Sequence, residues 1–140
     1  MKKILLILFI CPIISFSQSL NKTIYKEFNV GIFSPVDGGF IFPGASFLIG
    51  QKNYYENNTL LDYQIGLAFP SIATAKIGYG LGDEKYATIF GIRAFPTSIY
   101  IQFSFKEKNN IALEILPFSQ NMAGLDDGTQ GLIICYGYRF

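Results

Sequence analysis

Six ionisable residues fall inside extended, otherwise apolar stretches of this 140-residue chain: Glu27, Asp62 and Glu114 against Lys76, Arg93 and Arg139. Three acids and three bases can neutralise one another, and a carboxylate beside a Ser or Tyr could assist a nucleophile. The usual proton acceptor for such chemistry is missing, because the chain contains no His. With no His and only Cys11 and Cys135, the common zinc ligand sets cannot be assembled either. Gly78, Gly80 and Gly82 look superficially like a phosphate loop, yet they alternate along one extended segment instead of leading into a helix. They read as room for a large side chain such as Tyr100 or Arg93. Asp126-Asp127-Gly128 could contribute to a calcium or partner site and reads more simply as a polar turn. Asn57-Asn58-Thr59 matches a glycosylation sequon, a three-residue pattern too short to carry an argument. No catalytic residue, metal or cofactor is therefore expected, and the six charges stand as a structural network.

The elements that must position them follow from composition. Half the residues are hydrophobic, 16% are aromatic and only 15% are charged, which excludes a disordered chain and leaves too little polar surface for an ordinary soluble domain. The length supports one domain. Lys2 and Lys3, the apolar run from Ile4 to Ile14, and Ser15-Phe16-Ser17 form the three parts of a secretory signal peptide, expected to span residues 1–17. That run is too short for a membrane-spanning helix, and Pro12 interrupts it. Ile10 before Cys11 disfavours a lipoprotein signal. Without Lys2 and Lys3, nine bases face ten acids, so residues 18–140 carry no electrostatic footprint for nucleic acid. Cys135 alone cannot form an internal disulfide.

Period-two alternation recurs along residues 18–140, and no helical period survives beyond a turn or two. Ile99, Ile101, Phe103 and Phe105 share one face; so do Leu61, Tyr63, Ile65, Leu67 and Phe69, and again Leu132, Ile134, Tyr136, Tyr138 and Phe140. Further strands are expected over about 24–33, 39–51, 72–82, 85–95 and 111–117, eight in all. Proline turns at 34–38, 70–71, 96–97 and 117 alternate with charged or polar turns at 52–58, 82–84 and 107–110. An up-and-down meander would gather the proline turns at one end and the charged turns at the other.

Period two alone does not say which face is inside. An eight-stranded barrel has an interior barely wide enough for side chains, and the Ile, Leu, Phe and Tyr face holds too much volume for it. The opposite face carries Gly31, Gly44, Ser46, Gly66, Ala68, Gly78, Gly80, Ala112 and Gly137, which suit a crowded lumen. The six charges named above fall on that small-residue face as well. A charge facing lipid at mid-depth costs about 2 to 4 kcal/mol for Arg or Lys, whereas balanced charges in a dry lumen can pair. Aromatics lie near both sets of turns, Phe33, Phe69, Phe95 and Phe118 at one end and Tyr25, Tyr54, Tyr55, Tyr86, Phe105 and Phe140 at the other. Two such belts suit two membrane interfaces. The expected fold is an all-β, eight-stranded antiparallel transmembrane barrel over residues 18–140.

On these residues the chain resembles the small eight-stranded outer-membrane barrels of the OmpA transmembrane-domain and OmpX type. The strand ending Ile134, Tyr136, Tyr138, Phe140 looks like the terminal signal read by the barrel assembly machinery. The resemblance implies residence in the outer membrane of a Gram-negative bacterium, insertion by that machinery, and both termini in the periplasm. The proline turns would then face outward. Family members carry long loops there, whereas Pro70-Ser71 and Pro96-Thr97 are minimal and only 119–130 is long. An adhesin would need reach, so the expected role is a structural component or an accessory subunit of a larger envelope complex, with lipid as its solvent. The six lumen charges are expected to plug it against ion flow, three acids against three bases. The competing readings are a soluble periplasmic barrel carrying an apolar ligand, a lipid-A-modifying barrel enzyme, and a narrow channel.

Overall fold

The computed structural model describes residues 21–36, 41–117 and 130–140. The expected signal peptide, Phe118, Asp126-Asp127-Gly128 and nearly all of 119–130 lie outside the described residues. The described elements are β1 (Asn21–Pro35), β2 (Phe42–Tyr54), β3 (Thr59–Phe69), β4 (Ile72–Gly82), β5 (Tyr86–Arg93), β6 (Ser98–Phe105), β7 (Asn109–Leu116) and β8 (Gly131–Arg139). Each pairs antiparallel with the next, and β8 pairs with β1, closing one up-and-down barrel. Proline turns collect at one end; the charged turns, the start of β1 and the end of β8 collect at the other.

Closure is staggered. Following the register from Ile24 through Gln51, Tyr63, Ile77, Ile92, Ile99, Ile115 and Leu132 returns to β1 at Ser34, ten residues further along. Ten residues of stagger over eight strands tilt each strand by about 40° and set a backbone radius of about 8 Å, given the usual strand spacing and rise. Side chains from opposite walls meet across such a width. The alternation therefore has to put small residues inside, and it does. A Cβ at Gly66 would fall on the Phe47 carbonyl oxygen and 2.8 Å from Leu48 Cα, and one at Gly78 would lie 2.5 Å from both Ile89 and the Tyr100 hydroxyl. Gly78 thus makes room for Tyr100, the largest fully buried side chain. Replacing Gly66 by Ala pushes backbone against backbone. It is expected to destabilise the barrel by about 1 to 3 kcal/mol, read as a lower urea midpoint for the refolded protein.

Three expectations need correction. Strand β2 runs to Tyr54, so Lys52 sits on a strand and not in the expected 52–58 turn, because the parity of Ser46, Leu48 and Gly50 continues through it. Tyr25 and Phe33, assigned to the outer aromatic belts, share the parity of Glu27, Asn29 and Gly31 and point into the lumen. The outer aromatics are also not confined to the rims: Phe47 and Phe90 lie well within their strands with exposed side chains.

Candidate functional site

The lumen is layered along its axis. At the proline-turn end Phe33 and Leu116 are buried against Phe42 and Ile133. Beneath them Glu114 takes two bases. Lys76 Nζ donates to its Oε1 at 2.7 Å, Arg93 Nη1 to its Oε2 at 2.9 Å, and Ser98 Oγ to Oε2 at 3.2 Å. The strands explain the meeting: Lys76 and Arg93 are direct register partners on β4 and β5, and Glu114 reaches them from β7 across the lumen. Lys76 also lies over the Tyr100 ring, 5.0 Å from its centroid.

Nearer the charged-turn end is a second cluster. Arg139 Nε donates to Glu27 Oε2 at 2.6 Å, and its Nη1 donates to Ser104 Oγ at 3.0 Å. Lys52 Nζ reaches the same Ser104 oxygen at 3.4 Å. Asp62 accepts from the Tyr25 hydroxyl at 2.5 Å and from Gln64 Nε2 at 3.2 Å, and that amide also donates to the Tyr25 hydroxyl at 2.7 Å. The Arg139 guanidinium stacks on the Tyr25 ring at 4.8 Å, a geometry that adds cation–π attraction to the ion pair. Leu60, Ala87 and Ile89 pack beside this layer against Tyr100.

All six sequence-derived charges point into the lumen and are buried, but they do not pair one acid to one base. Glu114 holds both Lys76 and Arg93, Glu27 holds Arg139, and Asp62 has no ion pair among the described residues. Lys52 is a seventh lumen charge, so among the described residues four bases face three acids. The surplus positive charge lies in the Glu114 cluster, since Glu27 and Asp62 balance Arg139 and Lys52 in the other. The polar partners Tyr25, Gln64, Ser98 and Ser104 escaped sequence reasoning; only their parity with the charged positions marked them. Tyr136, Tyr138 and Phe140 lie together on the outer face, with the Tyr136 hydroxyl donating to Asn109 Oδ1 at 2.6 Å.

Chemically the lumen is an ion-pair network. Among the described residues the one serine hydrogen-bonded to a carboxylate, Ser98, meets Glu114, whose oxygens already accept from two cations and so make a poor proton acceptor. Among the described residues no three His, Cys, Asp or Glu side chains converge as a metal site. Between the clusters, Gln102 and Asn110 are fully buried with no partner among the described residues for either end of their amides. No family model, no curated protein and no solved structure matches this chain.

Proposed function

We propose that this chain is a non-enzymatic outer-membrane barrel whose lumen is plugged by its ion pairs, and that it serves as a structural component or as an accessory subunit of a larger envelope complex. One observation carries the reading: the described residues turn 29 large hydrophobic side chains outward and keep seven of the nine strand charges inside. Among described strand residues the outward-facing charges are Lys22 and Lys26, both toward the charged-turn end. Monomeric soluble proteins rarely expose a contiguous apolar patch beyond a few hundred Å², and this one encircles the molecule. Its height also fits, since ten residues tilted by about 40° rise roughly 25 Å, the apolar band of an outer-membrane barrel. Two connections at the outward end, Pro70-Ser71 and Pro96-Thr97, are two-residue turns without reach, which favours docking within a complex over adhesion. The placement of Tyr136, Tyr138 and Phe140 on one outward edge suits recognition by the assembly machinery.

Cell fractionation tests the membrane reading. The protein is expected in the outer-membrane fraction, with a heat-dependent shift on a denaturing gel; recovery from the periplasm without detergent would reject it. Planar bilayer recordings test the plug. The purified protein should show no stable large conductance, and a steady open current would sink that part of the proposal. Affinity purification in mild detergent with mass spectrometry is expected to recover a larger envelope protein; recovery of the barrel alone removes the accessory role.

A further inference from the structure

The wall is uneven at the proline-turn end. β1 and β2 stay paired up to Phe33 and Phe42, whereas β3 stops at Phe69 opposite Ala45, so Phe42, Pro43 and Gly44 project above the short Pro70-Ser71 turn. A cavity of about 60 Å³ opens there, bordered by outward-facing Phe69 and Pro43 and by lumen-facing Phe33, Gly44, Ala68 and Arg93. It is therefore a notch over the wall, joining the lumen mouth to the apolar outer face. The glycines support the vacancy independently. A Cβ at Gly44 would meet a single atom, the Phe69 carbonyl oxygen at 3.2 Å, while at the other lumen-facing glycines of the strands it would collide at 2.6 Å or less.

Arg93 borders this apolar notch with only 6% of its surface exposed. Its Nη1 is spent on Glu114, but its Nε is buried without a partner among the described residues. Glu114 carries one negative charge against the two positive charges of Lys76 and Arg93, so among the described residues the cluster is short of one anion. Buried charge left uncompensated is costly, and a planar carboxylate is the group that matches a guanidinium edge. At roughly 10 to 15 Å³ of probe space per water-sized group, the notch takes on the order of four to six non-hydrogen atoms. That suffices for a carboxylate and the first carbons of a chain. The remainder would leave over Phe42 and Phe69, whose rings lie 6.1 Å apart.

We propose that this notch binds a single-chain monocarboxylate, its head on Arg93 and its tail running out over Phe42 and Phe69. The proposal does not depend on membrane residence, because a barrel in solution would present the same notch. The test titrates the purified, refolded chain in a non-ionic detergent with decanoate carrying a ¹³C carboxyl, read by NMR. One saturable site per barrel is expected, with at least tenfold weaker binding of decanol in competition. Arg93→Gln should weaken decanoate at least tenfold while Arg93→Lys retains part of the affinity. Ala68→Leu, which fills the notch and leaves Arg93 intact, should weaken it equally and keeps the test valid if Arg93→Gln does not fold. Cys135 borders the same cavity and is a free thiol, so bound decanoate should slow its reaction with methyl methanethiosulfonate. Non-saturable uptake, equal competition by decanol, or unchanged affinity in both Arg93→Gln and Ala68→Leu would overturn the proposal.

Discussion

Glu114→Gln is expected to lower the stability of the refolded barrel by about 3 to 5 kcal/mol, the usual cost of removing one partner from a buried ion pair. The side chain keeps its shape, so the loss is electrostatic. Lys76 and Arg93 would face each other as register neighbours with no carboxylate between them, and Ser98 would lose its charged acceptor. Two buried cations sharing one anion make this position more costly than Glu27, which holds Arg139 alone. Urea unfolding monitored by tryptophan-free fluorescence of the tyrosines or by gel migration gives the midpoint. Adding Lys76→Met to Glu114→Gln should recover part of the loss, since it removes one of the stranded charges. A double variant no more stable than Glu114→Gln would show that the Lys76 charge is not the source of the penalty.

Ile65→Arg is the second substitution with a large expected effect, and its size depends on the solvent. Ile65 lies in the middle of β3, faces outward and is 67% exposed. If the outer face meets lipid, an Arg at mid-depth should cost about 2 to 4 kcal/mol in a bilayer. If the face met water, an exposed substitution there would change stability by less than about 0.5 kcal/mol. Unfolding the wild type and variant in lipid vesicles measures the difference. An unchanged midpoint would remove the membrane reading, and Lys26→Arg, at an outward position near the charged rim, supplies the control.

The fold was legible because a barrel wall repeats one simple rule. Ile99 to Phe105 shows both faces in seven residues, and the single parity shared by Asp62, Gly66 and Ala68 already separates lumen from exterior. Strand ends were less so. Lys52 was misplaced because Lys, Asn, Glu and two Tyr in succession have turn composition, while only the register with β3, Lys52 opposite Asp62, shows that the strand continues. β2 was ambiguous for a related reason: Leu48 points inward and Phe47 and Ile49 outward, so both faces read as apolar. Tyr25 and Phe33 went astray because aromatics suit either a rim or a lumen large enough for one ring, and the choice is made by space across the barrel. The site was legible in membership but not in pairing. Burial of six charges follows from parity, whereas the sharing of Glu114 by two bases depends on which strands lie opposite one another once the ring is closed.

That closure orders events during folding. The Glu27–Arg139 ion pair joins residues 112 apart in the chain, and Lys26 and Phe140 exchange backbone hydrogen bonds at the same seam. Neither contact can form until β8 meets β1, so the unclosed chain is a curved sheet with two unpaired edges, β1 and β8, each an available template for another chain. Contacts of such long range form late and slowly. Until then Glu27 and Arg139 remain solvated on separate edges, and their pairing is gained only when the ring shuts. The buried charge at the seam therefore works as a latch: it contributes nothing to the open sheet and holds the completed barrel against reopening.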